Sequence, residues 1–380
     1  MFERRRRTVD SRPIYLISAA GLPNYGDEIL TRVWLDWLAK NHPDVPVWLD
    51  CPEPGRANHL FAGVHPRLTT TNTLWHLAFG RHGMPLADSA EYVAQVVVDL
   101  GSPRLDLGLL QLREMRSVHL LGGGYMNSVW ENHLLLLPAL VALKQHFQVP
   151  IYATGQGVLP LSAEAQSAVH GWVADFDVFE TRDVPSAEAS GGTPGVDDAF
   201  LAFTNARDLY SKTETPDVML LIQGDFVDED ATEGLVDAAE QFVRAHARGP
   251  IGLVESIPPD DSWILPRLRE RGLEVNFYPF TRLWLEGLPA RAGQVWLTTR
   301  FHFHLLAAAA GARGAVIELE ADYYGIKHGS LRDLGTGWSS TSDISTSGSL
   351  EPGLNENFPK RKQQLARRKA SLARRIYPGH

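Results

Sequence analysis

Short apolar runs, Gly-rich loops and segments with helical periodicity alternate along the first half of the chain. The first apolar run covers residues 14–18 and is followed by a loop at 19–27. A helix is predicted from about Glu28, because apolar residues then recur at three- and four-residue intervals. The predicted apolar stripe consists of Ile29, Val33, Leu35 and Leu38. The chain therefore opens with a strand–loop–helix unit.

The same order of features recurs three more times before the middle of the chain. The further apolar runs are 118–121, 151–154 and 178–181, and they lead into Gly122-Gly123-Gly124, Gly155-Gln156-Gly157 and Arg182-Asp183. Units of this kind are typical of a parallel sheet covered by helices on both faces.

A polar break at residues 205–216 separates this half from a second set of strand–helix units. The predicted strands are 218–222, 251–255, 275–278, 294–297 and 316–319, with a helix at 231–248. A Ser-, Thr- and Gly-rich stretch predicts a loop at 336–349, before a basic tail.

This pattern predicts an α/β protein with two Rossmann-like domains facing each other across a cleft, which is the GT-B architecture. The predicted domains are 1–205 and 217–335, and residues 336–380 form a loop and a basic C-terminal helix. Residues 57–112 resist assignment to helices or strands.

Composition excludes several classes of function. The net charge is -9, and eight basic residues without an acid lie between Lys360 and the end, so the rest carries -9 minus 8, or -17. An acidic body gives no support for nucleic-acid binding. Cys51 is the single cysteine, so no intrachain disulfide is possible, which fits a cytoplasmic protein. No apolar stretch reaches the ~18 residues of a membrane span.

The basic tail has two interpretations. The favoured one is a solvated amphipathic helix packed on the acidic body, with Phe358, Leu365 and Leu372 at seven-residue spacing. The other is peripheral contact with anionic lipid at the inner face of a membrane.

Arg300 and His302 are the strongest candidates for chemistry. They follow the apolar run 294–297 and precede an Ala-rich helix that is predicted from Leu305 to Ala310. Ligands of open α/β sheets bind outside the carboxyl ends of strands, where helix N-termini add free N–H groups. A permanent cation and a titratable imidazole at such a junction indicate a doubly anionic small molecule and a proton to move.

Other cations and glycines follow predicted strands. Arg182 ends the fourth run, and two guanidiniums can hold a carboxylate and a phosphate in bidentate fashion. Lys327, predicted in a loop, is either solvated or a third cation toward phosphate. Gly123, Gly124 and Gln156 either let the backbone contact an anion or only form tight turns. No dinucleotide fingerprint or P-loop is present.

Asn24 and Asp27 lie at the end of the first strand. Asp27 is interpreted first as a helix cap, while Asn24 has no local explanation, and both could hydrogen-bond sugar hydroxyls. His302 and His304 are two residues apart and face different sides of a helix, so we expect no zinc site and no metal.

In order and spacing, these elements resemble the polysaccharide pyruvyl transferase family over about residues 13–335. The matching elements are Gly21 with Asn24-Tyr25-Gly26-Asp27-Glu28-Ile29-Leu30, Leu121-Gly122-Gly123-Gly124, Gly155-Gln156-Gly157-Val158-Leu159-Pro160-Leu161, Arg182-Asp183, Asp198-Ala199-Phe200, and Arg300-Phe301-His302 leading to Ala310-Gly311. The resemblance implies a GT-B-like fold and an enzyme of cell-envelope polysaccharide synthesis.

It also implies transfer of a pyruvyl unit from phosphoenolpyruvate to two hydroxyls of a saccharide, which is free or lipid-linked. The products are a pyruvate ketal and phosphate, and no cofactor takes part. In the family, the residues matching Arg182, Arg300 and His302 serve the donor. Asp27 or Glu180 is a candidate base for the acceptor hydroxyl.

Two alternatives remain open from the residues alone. One is a nucleotide-sugar glycosyltransferase on the same scaffold, and the other is a non-catalytic saccharide-binding protein. The acceptor sugar, its hydroxyl pair and the oligomeric state are not indicated.

Overall fold

A seven-stranded parallel sheet forms the centre of the N-terminal domain. The computed structural model describes residues 11–204, 209–225, 227, 229–319 and 325–378. The strands are β1 (Ile14–Ile17), β2 (Val47–Asp50), β3 (Leu68–Thr71), β4 (Ser117–Leu120), β5 (Ile151–Gln156), β6 (Val178–Thr181) and β7 (Thr193–Pro194). Their order is β3-β2-β1-β4-β5-β6-β7, and every pairing is parallel.

Helices cover this sheet between successive strands. They are α1 (Tyr25–Asn41), α2 (Pro54–Leu60), α3 (Thr73–Phe79), α4 (Leu86–Asp99), α5 (Asp106–Leu112), α6 (Leu136–Phe147), α7 (Ala163–Val173) and α8 (Val184–Ser190), with 3-10 turns at Ser128–Leu135 and Asp198–Thr204. The unassigned stretch 57–112 therefore holds most of α2, strand β3 and helices α3 to α5. Strand β3 escaped the apolar pattern because it is a partly exposed edge strand that carries three threonines.

The C-terminal domain repeats this plan with six parallel strands. They are β8 (Val218–Leu221), β9 (Ile251–Val254), β10 (Val275–Tyr278), β11 (Val295–Thr298), β12 (Arg313–Ile317) and β13 (Ser339–Thr341), in the order β10-β9-β8-β11-β12-β13. The helices are α9 (Glu229–His246), α10 (Ile264–Glu270), α11 (Phe280–Glu286), α12 (Phe301–Ala310), α13 (Ile326–Asp333) and α14 (Ile344–Ser347), with a 3-10 turn at Asp260–Ser262.

The predicted boundary at residue 335 is too early. The sheet continues to β13, and the stretch predicted as a loop at 336–349 also contains α14. The short strand was not predicted because its Ser and Thr side chains lie at the sheet edge, where no apolar run is needed. The polar break at 205–216 is only partly described, since residues 205–208 lie outside the described part.

A last helix, α15 (Phe358–Ile376), leaves the C-terminal domain and packs on the N-terminal one. It lies against the 3-10 turn at Asp198–Thr204 and against α12. One apolar core runs through the interface, so that Tyr25 of α1 contacts the rings of Phe280 and Phe303 from the other domain. The two domains are therefore joined by shared packing as well as by the chain.

A buried ion cluster anchors α15. The ammonium of Lys369, which is fully buried, lies 2.9 Å from Asp198 Oδ1 and also pairs with Glu180. Burial opposes the charge of Lys369, but the two carboxylates outweigh it and raise the pKa of the lysine. Asp198 Oδ2 also accepts hydrogen bonds from Trp34 Nε1 and the Gly122 N–H.

Among the described residues, no helix is both long and apolar enough to cross a membrane.

Candidate functional site

The carboxyl ends of the two sheets meet at a cleft that contains a cavity of about 330 Å³. Parallel sheets collect the residues that follow their strands at one edge, so distant positions come together there. Seven of the nine predicted site residues line this cavity. They are Asn24, Asp27, Gly124 and Arg182 of the N-terminal domain, and Arg300, His302 and Lys327 of the C-terminal domain.

Arg182 follows β6 and reaches the opposite domain. Its guanidinium lies 4.3 Å from the ring centroid of Phe301 and is only slightly exposed. Nη1 is 3.7 Å from Asp197 Oδ2, and Nε is 3.7 Å from Asp183 Oδ2. Because these groups are buried, water screens the attraction between them less than in an exposed ion pair, but their removal from water opposes that gain. The positive charge is thus held at the domain interface.

Lys327 brings a second cation to Arg182 from the other domain. It lies in the first turn of α13 and not in a loop, and it is 9% exposed. Burial and the nearby Arg182 lower its pKa well below the usual value, although Asp27 opposes the shift. The cost of keeping this ammonium charged falls when an anion binds beside it.

Gly124 and Gly157 make room for these cations. A Cβ at Gly124 would lie 3.1 Å from Lys327 Nζ and 3.2 Å from Arg182 Nη2, and one at Gly157 would lie 2.5 Å from Arg182 Nε. The amide of Gly122 donates to Asp198, and the carbonyl of Gly123 accepts from Gly157. The glycine loops therefore admit protein side chains, whereas the sequence left open whether they contact an anion or only form tight turns.

Arg300 lines the same cavity, but its guanidinium is already engaged. Nη2 lies 2.5 Å from Asp225 Oδ1 and 2.5 Å from Asp261 Oδ1, and Nη1 and Nε make further contacts with these two carboxylates. Burial raises the pKa of Asp261 despite the opposing charge of Arg300. The predicted convergence of Arg182 and Arg300 on one cavity is observed, with the charge of Arg300 balanced by its own domain.

His302 lies between two carboxylates of the N-terminal domain. Its Nε2 is 3.5 Å from Asp197 Oδ2, and its Nδ1 would be 2.1 Å from a Cβ at Gly26. Burial opposes ionisation of Asp197, yet His302 and Arg182 hold the pKa of that carboxyl below its usual value. For Asp27, burial wins and raises the pKa, although His302, Lys327 and Arg182 oppose the shift. The imidazole thus lies beside one carboxyl group with a lowered pKa and one with a raised pKa.

Asn24, and not Asp27, caps α1. The Asn24 Oδ1 accepts from the Gly26 N–H at 3.1 Å, and its Nδ2 donates to Asp27 Oδ2 at 2.9 Å. The helix starts at Tyr25, three residues earlier than predicted, because the cap precedes it. Asp27 is left to face the cavity. Ser256 reaches Asn24 from the other domain at 3.5 Å.

Two predicted candidates lie elsewhere. Gln156 is fully buried and donates from Nε2 to the carbonyls of Leu120, Leu121 and Thr154, so it holds the backbone of the sheet. Glu180, the alternative base, is paired with Lys369 away from the cavity. Sequence position at a strand end does not distinguish a side chain that faces the cleft from one that faces the core.

The remaining candidate glycine, Gly123, and the second histidine, His304, contact other side chains of the protein. Gly123 lies where a Cβ would be 2.4 Å from the ring of Tyr125 and 3.4 Å from Asp27 Oδ1. His304 is buried, stacks on Trp338 at 4.8 Å between ring centroids, and bonds through Nε2 to Thr336. His302 and His304 therefore face different surroundings, as their spacing predicts.

Comparison with known proteins bears on the fold. No protein-family model and no curated protein matches the chain. Solved structures do match over almost the whole length. A UDP-N-acetylglucosamine 2-epimerase from Rickettsia bellii is 11% identical, with 96% of each chain covered and a TM-score of 0.53. A UDP co-structure of MnaA from S. aureus is 10% identical, with 96% of each chain covered and a TM-score of 0.52.

A spinosyn rhamnosyltransferase, SpnG, complexed with thymidine diphosphate is 14% identical, with a TM-score of 0.50 over 96% of this chain and 99% of that one. The chain has the GT-B fold. The prediction of two Rossmann-like domains across a cleft is thereby confirmed.

Several cavity residues of this GT-B protein were not predicted. Asp225 followed a recognised strand and could have been named from that position. Asp197 and Asp261 are buried behind the cavity, where they contact His302 and Arg300, and they lie in segments without a motif. Trp130 and His133 form one wall, with rings stacked at 11° and 6.1 Å between centroids. They lie in a 3-10 segment, which lacks the helical periodicity on which the prediction relied.

The protonation of His133 follows from its surroundings. Nδ1 lies 3.0 Å from the carbonyl of Tyr125, so it carries the proton and donates. Burial lowers the pKa of His133 to about 4, although this hydrogen bond opposes the shift. The ring is thus neutral near pH 7 and keeps Nε2 as a hydrogen-bond acceptor.

Within the described ranges, no three His, Cys, Asp or Glu side chains are arranged to hold a metal ion.

Proposed function

We propose that this protein transfers a pyruvyl unit from phosphoenolpyruvate to two hydroxyls of a saccharide, with release of phosphate. The observation that carries the proposal is the meeting of Arg182 and Lys327, from opposite domains, beside Gly124 in the cleft. Phosphoenolpyruvate has a carboxylate and a phosphate on adjacent atoms, and two cations from different elements suit such a compact anion.

The state of Lys327 supports an anionic donor. Its ammonium is buried and its pKa is lowered by burial and by Arg182. An anion placed next to it favours the charged form, so donor binding takes up a proton at any pH where Lys327 of the ligand-free protein is neutral. Affinity for the donor therefore falls as the pH rises.

The reaction has two steps, and each has candidate groups in the cavity. In the first, His302 protonates the methylene carbon, a sugar oxygen bonds to C2, and Asp27 accepts the proton of that hydroxyl. In the second, another hydroxyl of the sugar displaces phosphate from C2. The proton of the second hydroxyl leaves with the phosphate, and Asp27 returns the proton of the first hydroxyl to His302, which replaces the proton given to the new methyl group. The raised pKa of Asp27 makes it a better base than an ordinary carboxylate.

The acceptor is assigned to the wall formed by Trp130 and His133. Sugar rings pack their C–H faces on aromatic rings, and Trp130 presents a partly exposed indole to the cavity. The neutral His133 offers Nε2 to a hydroxyl group. Donor and acceptor would then approach the same space from the cationic side and from the aromatic side.

A nucleotide-sugar glycosyltransferase is the second candidate, and the fold favours it. The structures of similar fold include a UDP co-structure of MnaA and a rhamnosyltransferase complexed with thymidine diphosphate. The diphosphate of a nucleotide could bind the same two cations, Arg182 and Lys327. The two candidates therefore differ in the ligand that the cleft selects and not in the scaffold.

Thermal stabilisation by ligands separates them. We expect phosphoenolpyruvate to raise the melting temperature of the wild-type protein and of Lys362→Met, but not of Lys327→Met. Lys362 is the matched control because it is a partly buried lysine on α15 outside the cavity. Stabilisation by UDP or thymidine diphosphate without stabilisation by phosphoenolpyruvate would establish the glycosyltransferase alternative.

Turnover decides between an enzyme and a binding protein. Phosphate release from phosphoenolpyruvate should require an added saccharide and should be lost in His302→Gln. Donor binding without phosphate release, across a panel of saccharides that includes lipid-linked ones, would point to the non-catalytic alternative.

A further inference from the structure

Helix α15 carries a basic ridge on its solvent-facing side. Three pairs of exposed basic residues recur every seven positions, so they lie above one another on a single face. The ridge consists of Lys360, Arg361, Arg367, Arg368, Arg374 and Arg375. Fourteen residues separate the first pair from the last, which corresponds to roughly 21 Å along the helix.

The charge of this ridge is not balanced by the protein. In the described part of the chain, none of the six residues forms an ion pair with a carboxylate. Arg361 and Arg368 donate instead to the backbone carbonyls of Asp333 and Pro194. Several arginines elsewhere on the surface do pair with carboxylates, as in Arg244–Glu240, Arg282–Glu286 and Arg291–Asp217.

The opposite face of α15 holds the ridge in a fixed position. Lys369 is anchored by Asp198 and Glu180, and Ala366 and Ala373 are buried against the body. The helix is thus part of the packed protein. Its six charges point outward together, and charges farther away than about 8 Å are largely screened at physiological salt.

A hollow of mixed polarity adjoins the ridge. A cavity of about 520 Å³ lies between α15 and the end of the N-terminal sheet, and it is lined by Phe176, Phe179 and Leu372 together with polar side chains that include Asp177 and Glu180. Arg368 and Arg375 of the ridge border the same cavity. The apolar side chains next to these two cations add a partly apolar contact for lipid to the charge of the ridge.

We propose that the basic ridge of α15 binds the surface of an anionic phospholipid bilayer. The flat surface of a bilayer can contact this face of the protein alone. A flexible nucleic acid bound to the ridge would also come close to the acidic remainder of the protein, whose charge is -9 minus 8, or -17, and which repels it. Docking through the ridge sets one orientation of the protein at the membrane. This inference does not depend on the proposed activity.

Co-sedimentation of the full-length protein with vesicles tests it. We expect binding to vesicles of phosphatidylcholine with phosphatidylglycerol, little binding to phosphatidylcholine alone, and a decrease with added salt. Each arginine neutralised should weaken partitioning about fivefold, so a variant with Arg367, Arg368, Arg374 and Arg375 all changed to Gln should lose several hundredfold.

The control removes the same charge from other exposed positions. It changes Arg56, Arg67, Arg104 and Arg248 to Gln and should retain most of the vesicle binding. The proposal is overturned if the wild-type protein ignores anionic vesicles, or if the control loses as much binding as the ridge variant. It is also overturned if single-stranded DNA binds the ridge more tightly than the vesicles do.

Discussion

Glu28→Gln tests how the start of α1 is held beside the cleft. Glu28 is fully buried, its Oε1 accepts from the Gly21 N–H at 2.8 Å, and its Oε2 has no hydrogen-bond partner among the described residues. Burial raises the pKa of Glu28 to about 8, despite the opposing hydrogen bond from Gly21, and Asp27 adds to the rise. The folded protein thus favours the protonated carboxyl.

The size of the effect follows from the two pKa values. The pKa is about 4.5 in the unfolded chain and about 8 in the folded protein. This difference corresponds to about 4–5 kcal/mol in the free energy of unfolding. Because the folded pKa is the higher one, this stability is complete below pH 4.5 and is lost as the pH rises through about 8.

Glutamine has nearly the same shape as protonated glutamic acid, is also uncharged, and does not titrate. We therefore expect Glu28→Gln to be close to wild type at pH 5 and more stable by up to about 4–5 kcal/mol at pH 9. Urea unfolding followed by circular dichroism at both pH values measures this, with the exposed Glu188→Gln as control. If the variant loses stability between pH 5 and pH 9 as steeply as the wild type, the reasoning is wrong.

Two further substitutions test the anchoring of α15 and the fit of the imidazole. Lys369→Met should lower the free energy of unfolding by about 3–5 kcal/mol, because it leaves Asp198 buried without its cation; a loss below about 1 kcal/mol in urea unfolding would contradict this. Gly26→Ala places a Cβ 2.1 Å from His302 Nδ1 and should abolish acceptor-dependent phosphate release while the far-ultraviolet circular dichroism is retained. Gly55→Ala is the matched control, since a Cβ there meets nothing within 4 Å, and equal activity of both variants would refute the placement of the imidazole.

The cleft combines a cationic side and an aromatic side that come from different parts of the chain. Arg182 and Lys327 belong to different domains, and Trp130 and His133 lie on a segment between β4 and α6. A change in the angle between the domains would move the cations relative to each other.

Much of the fold could be predicted because its signals are local. An apolar run followed by glycines and a helical period defines a strand, a turn and a helix within about twenty residues. Parallel sheets place the residues after their strands at one edge, so Arg182, Arg300 and His302 could be assigned to a common cleft before any coordinates were known. These predictions need only neighbours in sequence and one rule of topology.

Tertiary structure alone decided which of these side chains have partners. Lys327 is buried beside Gly124 and Arg182 of the other domain, Arg300 is neutralised by Asp225 and Asp261, and His302 lies against Asp197. The amide of Gln156 turned to the sheet, although its position at a strand end resembled that of a ligand contact.

The physical reason is that periodicity records which face of an element is apolar, whereas burial and ion pairing depend on what other elements bring to the same place. The amino-acid pattern determined most of the strands, several of the helices and the edge at which a site would form. The sequence predicted that the basic tail is a helix packed on the body. The domain on which α15 packs, the pairing of Lys369 with Glu180 and Asp198, and the charge balance of the cleft arose only when residues far apart in the chain were packed together.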